Sequence, residues 1–173
     1  PERAQATKTA KPDDVVLEEN EFVDEGKIVD KERLQKKQKL VIFPFRAGIN
    51  VEATSKLDRI ALMIIKGISD AFGTDRGGKH DHFQILTAES TETPDIMLTG
   101  HIDELVEPAQ IKKWLPTAQR KSLVITGKMV DRSTGEVIVF FKDAESTNKR
   151  GEDYSKLGYQ VGNNIGQFIL SGI

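Results

Sequence analysis

Apolar residues along the chain change their spacing several times, and each change predicts a new secondary-structure element. Residues 40–45 form a continuous apolar run, which is typical of a strand buried on both faces. Over residues 57–72 apolar side chains recur every three or four positions, which predicts an amphipathic helix. Ser55 is the predicted N-cap of this helix, with Asp58 in capping-box spacing, and Gly73 is predicted to end it.

The remainder of the folded part predicts four strands and a second long helix. The predicted strands are residues 83–88, 95–105, 122–131 and 136–144, and the last two form a hairpin. In the C-terminal helix Gly158, Gly162 and Gly166 recur every four residues and allow a close approach to a neighbouring element. The order β-α-β-β-β-β-α predicts a mixed α/β fold with helices packed on a sheet.

Residues 1–39 have a different composition. Seven acidic residues and no basic residue lie between Asp13 and Glu25, and six basic residues lie between Lys27 and Lys39. Because so few apolar side chains cannot offset the entropy of ordering, we expect a flexible charged tether, with at most a short helix over residues 30–38. The sequence thus predicts a tether (1–39), acting either as a solvated linker or as a docking arm, and one α/β domain (40–173).

Net charge, the length of apolar runs and the absence of Cys each exclude a class of function. The 173 residues carry a formal net charge of −2, so a nucleic-acid partner is not expected. No apolar run approaches the roughly 20 residues of a membrane span, and we expect membrane attachment only through an N-terminal lipid outside this chain. The absence of Cys excludes disulfides, thiolate catalysis and Cys-based zinc sites.

Two segments suggest a cofactor or metal, and in both we favour a structural interpretation. The loop of residues 46–54 joins a strand to a helix, but Gly48 is its single glycine and no Lys-Ser or Lys-Thr pair follows, so no phosphate site is predicted. His80 and His82 have a spacing that two metal ligands can share, yet their segment is Gly-rich and charged, which favours an exposed loop. No catalytic residue, cofactor or metal is predicted.

Residues 107–120 are the strongest candidate for contact with a partner. Trp114 is the chain's single tryptophan and lies beside two lysines. It is predicted either to plug the rim of the core or to anchor a protein partner, since aromatic residues flanked by bases are common at interfaces. Together with the loop of residues 75–82, the predicted partner-binding residues are Lys112, Lys113, Trp114, Arg120, Arg76 and His82.

Three segments resemble one known group of proteins. They are KLVIFPFRAG (residues 39–48), DIMLTGHIDEL (95–105) and SLVITGKMVDRSTGEVIVFFKDAESTNKRG (122–151). In this order they resemble the periplasmic domains of the CsgG and TolB amino-terminal group, which includes the lipoproteins that activate penicillin-binding peptidoglycan synthases. The resemblance implies a non-enzymatic periplasmic domain, anchored by lipid to the outer membrane, that binds an envelope protein and regulates peptidoglycan synthesis.

Two other functions stay open at this point. One is a subunit of an envelope secretion or surface-appendage assembly, which would self-associate through its sheet edge or its helices. The other is a small-molecule-binding α/β domain that uses the loop of residues 46–54.

Overall fold

The structure is a computed structural model that describes residues 15–36, 38–73, 82–87, 89–106, 120–149 and 152–173. In these ranges the chain forms eight strands and three helices. The strands are β1 (Glu18–Glu19), β2 (Glu25–Ile28), β3 (Gln38–Ile42), β4 (Arg46–Ala47), β5 (Phe83–Leu86), β6 (Ile96–Val106), β7 (Lys121–Asp131) and β8 (Val137–Thr147). The helices are α1 (Lys31–Leu34), α2 (Ser55–Gly73) and α3 (Tyr154–Ser171).

The strands form one mixed sheet in the order β1-β2-β8-β7-β6-β3-β5, with β4 paired to β6. The long strands β6, β7 and β8 are antiparallel, whereas β3 is parallel to both β5 and β6. The predicted mixed α/β class is therefore confirmed. The predicted order of elements from β3 to α3 is also confirmed, with the short strand β4 as an addition that the sequence pattern does not predict.

Glycines allow α2 and α3 to pack against each other at close range. A Cβ atom at Gly158 would lie 3.0 Å from the carbonyl oxygen of Ile60, and one at Gly162 would collide with the backbone of Ile64. These contacts advance along both helices together, so the helices run in the same direction. The predicted close approach through the glycine repeat is confirmed.

The register of the sheet decides which side chains of β8 face the helices. Phe141 is fully buried in the core that α2 and α3 form with the sheet. Side chains alternate along a strand, so Asp143 and Glu145 face the helices as Phe141 does. Ala144 and Ser146 face the opposite side of the sheet.

The predicted tether is wrong for residues 18–36. Strand β2 pairs antiparallel with β8, from Glu25 opposite Lys142 to Ile28 opposite Val139. Val23 is 3% exposed, and the Leu34 side chain of α1 is fully buried. These few apolar residues cannot form a core by themselves, but they complete one that the rest of the chain already provides.

Two helix boundaries also differ from prediction. The helix expected over residues 30–38 ends at Leu34, since Gln38 begins β3. At α2 the hydroxyl of Thr54, rather than that of Ser55, accepts the backbone N–H of Leu57 at 3.3 Å, so Thr54 is the capping residue. None of the helices in the described ranges has both the length and the apolar character of a membrane-spanning segment.

Candidate partner-binding site

The outer edge of β8 is only partly covered by its neighbouring strand. β7 pairs with β8 along its length as far as Lys121 opposite Thr147, whereas β2 pairs with β8 only as far as Lys142. Residues 143–147 of β8 therefore have no strand partner on their outer side among the described residues. We call these five residues the free edge.

Like charges explain why β2 leaves the sheet at this point. The last pair places Glu25 opposite Lys142, which is a favourable combination. Continuing the same register would place Asp24 opposite Asp143, and two carboxylates directly opposite each other destabilise a pair of strands. Instead the chain bends at residues 21–24, and the Asp24 backbone N–H donates to Oδ1 of Asp143 at 3.2 Å.

A groove of about 560 Å³ lies on one side of the free edge. Apolar side chains line it from each long strand, Ala144 from β8, Val124 from β7 and Val106 from β6. Three carboxylates also line it: Asp24, Glu104 and Glu145. Arg120 lies at the rim, with its guanidinium 3.5 Å from the Ser146 hydroxyl. The groove is thus an open surface of mixed character, in which apolar side chains lie beside carboxylates and the exposed cation of Arg120.

An acidic cavity of about 600 Å³ lies on the helix-facing side of the free edge. Six carboxylates and no basic side chain line it: Glu19, Glu21, Asp24, Glu25, Asp143 and Glu145. Asn164 of α3 donates from one amide nitrogen to Oδ2 of Asp143 at 2.9 Å and to Oε1 of Glu145 at 2.8 Å. This single amide therefore fixes the two acidic side chains that β8 contributes.

The carboxyl of Asp143 is in an environment that disfavours its charge. Its side chain is 2% exposed, and this burial raises its pKa to about 6. The hydrogen bonds from Asn164 and the Asp24 backbone lower the pKa, but the nearby charges of Asp24 and Glu145 raise it further. The cavity therefore contains many carboxyl groups, and the described residues provide few hydrogen-bond donors to them.

The sequence-predicted contact residues have different outcomes. Lys112, Lys113, Trp114 and Arg76 lie outside the described residues, so their predicted roles stay predictions. Arg120 is exposed and borders the groove, as a partner-binding residue requires.

The prediction that His82 lies in an exposed loop is wrong. Its side chain is 7% exposed, and Nε2 lies 2.7 Å from the carbonyl oxygen of Leu34, to which it donates in the tautomer that carries hydrogen there. The ring also meets Phe83 edge-on at 4.7 Å. His82 thus connects α1 to the start of β5. It lies near the first residues of β6, whereas Arg120 lies near the last, so His82 and Arg120 do not share a surface.

The metal hypothesis gains no support from the described residues. His101, which is the chain's remaining histidine and a possible third ligand, is exposed on β6, while His80 lies outside the described ranges. Within those ranges no three His, Asp or Glu side chains gather in a metal-binding arrangement.

The acidic residues of β8 were missed in the sequence analysis, although a signal for one of them exists. Val139, Phe141 and Asp143 occupy successive inward positions of the predicted hairpin strand. An aspartate in such an apolar series is unusual, because a buried carboxylate requires partners. Its partner Asn164 comes from α3, which only the folded structure brings to this place.

Comparison with known proteins supports the fold without naming a family. No protein-family model and no curated protein matches this chain, so the resemblance to the CsgG and TolB group stays a prediction. Among solved structures, the PelC dodecamer from Paraburkholderia phytofirmans is similar at 12% identity and a TM-score of 0.50, covering 85% of this chain and 91% of that one. At this identity the likeness establishes the fold alone.

Two more distant structures show weaker likeness. Protein XCC0632 from Xanthomonas campestris, of family DUF330, has 13% identity and a TM-score of 0.49, covering 80% of this chain and 87% of that one. Lipoprotein GNA1162 from Neisseria meningitidis has 10% identity and a TM-score of 0.40, covering 75% of this chain and 95% of that one. These scores are too low to carry an argument about this chain.

Proposed function

We propose that this protein is a non-enzymatic, periplasmic domain of a bacterial outer-membrane lipoprotein that binds a protein partner. The observation that carries the proposal is the end of the sheet formed by β6, β7 and β8. There a free strand edge lies between a partly apolar groove and an acidic cavity, and Arg120 lies at the rim of the groove. An exposed strand edge beside a groove is a common surface for protein recognition.

The envelope location and the regulation of peptidoglycan synthesis rest on the sequence resemblance described above. In this proposal a lipid outside the chain holds the domain at the outer membrane, and the open end of the sheet contacts an envelope protein such as a peptidoglycan synthase. The groove then supplies the apolar part of the contact and Arg120 a charged anchor at its border.

A cross-linked pull-down from detergent-solubilised Gram-negative envelope tests the proposal. The unaltered chain is compared with Arg120→Glu and with Arg132→Glu, which reverses another exposed charge in the turn at the other end of β7. We expect one envelope protein to be captured by the unaltered chain and by Arg132→Glu, and to be lost with Arg120→Glu. Equal capture by all three, or no specific capture, would contradict the proposal.

The second candidate is a subunit of an envelope assembly built from copies of this chain. It is favoured by the fold shared with PelC, whose crystallised form is a dodecamer. Sedimentation of the purified chain across a wide concentration range separates the two candidates. An oligomer of about dodecamer size would favour assembly, and a monomer at every concentration would exclude it.

A further inference from the structure

We propose that the free edge binds an extended, basic segment of the partner protein as an added β-strand. The inference rests on the proposed function and deepens it, since it names the mode of recognition and the chemistry of the partner. It is argued from the outer side of residues 143–147, which no strand of the described ranges pairs with, and from the charges around it.

The geometry suits a short added strand. Five residues at about 3.3 Å each give an edge roughly 16 Å long, which matches a common strand length. β7 holds these residues in extended conformation on their inner side, so the edge is already formed before a partner arrives. Main-chain hydrogen bonds along such an edge supply affinity for extended peptides.

Charge selects the kind of peptide. The cavity on the helix-facing side has six acidic side chains and no basic one. An incoming strand directs alternate side chains to the two faces of the sheet. Lys or Arg at the positions that face the cavity would pair with Glu145 and with acids of the β1–β2 region, such as Glu21.

The groove on the opposite face of the sheet determines which residues fit at the alternate positions of the incoming strand. There the incoming side chains lie against the groove, where Val106, Val124 and Ala144 favour small apolar residues. Arg120 is the single basic residue of this groove lining, which also has three carboxylates: Asp24, Glu104 and Glu145. The preferred segment therefore alternates basic residues with small apolar ones.

The same charges disfavour a strand from the chain's own acidic region. Residues 18–25 include five acids and no base, and β2 leaves the sheet where its next pair would be Asp24 with Asp143. A basic segment removes this repulsion, and it would also stabilise the charged form of the buried Asp143.

A labelled peptide of alternating Lys and Val residues provides a defined probe, with fluorescence anisotropy as the readout. Two control peptides accompany it: one with Glu in place of Lys, and one with the same charge but N-methylated alternate amides. We expect binding of the first peptide alone. Equal binding of the N-methylated peptide would overturn strand addition, and equal binding of the Glu peptide would overturn the charge argument.

Protein variants locate the binding site. Glu145→Lys and Glu21→Lys should each weaken peptide binding at least tenfold, whereas Glu136→Lys, in the turn at the opposite end of the same hairpin, should leave it unchanged. Glu145→Lys loses the hydrogen bond from Asn164 and could unfold the protein. Glu21 is exposed, so we expect Glu21→Lys to stay folded and to test the site in either case. Equal binding by Glu21→Lys and Glu136→Lys would overturn the proposal.

The outcomes separate this inference from the proposed function. If Arg120→Glu abolishes capture of an envelope protein while the Lys-Val peptide does not bind, the proposed function stands and strand addition fails. If the chain forms oligomers that Glu21→Lys disperses and the peptide does not bind, the occupant of the edge is a second copy, which also overturns the inference.

Discussion

The hairpin of β7 and β8 has one buried aspartate at its turn and a second on β8 farther from the turn, and the environments of the two carboxyls are opposite. Near the turn, Asp131 accepts hydrogen bonds from the Ser133 backbone at 2.8 Å, the Ser133 hydroxyl at 2.7 Å and the Thr134 backbone at 3.1 Å. Arg33 of α1 adds an ion pair at 2.7 Å. The Ser133 hydroxyl, the backbone donors and the Arg33 charge hold the pKa of Asp131 at about 2, against the opposing effect of burial.

At the other end, Asp143 has two donors and several acidic neighbours. Burial raises its pKa to about 6, and β2 departs from the sheet beside it. At the turn end the carboxylate is paired with Arg33 and a turn joins the two strands. The free-edge end has a carboxylate whose charge is disfavoured and, among the described residues, no strand on its outer side. This combination fits the proposed binding role, because perturbed carboxyls and open strand edges are common at binding sites.

Breaking the turn end should cost the most stability. Asp131→Ala removes the acceptor of three hydrogen bonds and the partner of Arg33, and we expect a loss of roughly 2 kcal/mol. Urea denaturation at pH 7 measures the free energy of unfolding. A loss below about 0.5 kcal/mol would show that the turn does not depend on this carboxylate.

The pH dependence of this loss has a definite sign. Because the folded pKa of Asp131 is lowered from 3.8 to about 2, its contribution is present above pH 3.8 and disappears as the pH falls through 2. Asp131→Asn, which keeps an acceptor but no charge, should lie between the unaltered protein and Asp131→Ala.

At the free-edge end the sign is reversed. The folded pKa of Asp143 is raised from 3.8 to about 6, so this residue lowers stability progressively as the pH rises from 4 through 6. Asp143→Asn should therefore stabilise the protein at pH 7.5 by on the order of 1 kcal/mol and have little effect at pH 4. Melting temperatures across this pH range test the prediction, and destabilisation at pH 7.5 would contradict it.

The smallest effect is expected at the groove. Arg120 is exposed and its contact to Ser146 is long, so Arg120→Glu should change the free energy of unfolding by less than about 0.5 kcal/mol. If this variant also loses partner capture, its role is binding rather than stability. A marked drop in the urea midpoint would instead place Arg120 among the residues that hold the sheet together.

The sequence predicted the elements with strong periodicity and missed those that depend on a distant partner. α2, α3 and the long hairpin each show a regular apolar spacing that is visible within the element itself. β2 and α1 show no such pattern, because Ile28 and Leu34 are separated by charged residues and become buried only against β8 and the end of α3.

The candidate site divides in the same way. Arg120 was found because it lies in a basic segment with aromatic and apolar residues. His82 was misassigned because its burial depends on the carbonyl oxygen of Leu34, 48 positions away. The acidic cavity joins three separate parts of the chain, so only the fold reveals it.

Hydrogen–deuterium exchange along β8, with and without the alternating Lys-Val peptide, tests the central claim most directly. Pairing with β7 protects only amides that point inward, so alternate amides within residues 143–147 should exchange rapidly in the free protein. Peptide binding should slow their exchange at least tenfold and leave the turn near Asp131 unchanged. Full protection of residues 143–147 in the free protein, or no change with a peptide that binds, would contradict a free edge that takes an added strand.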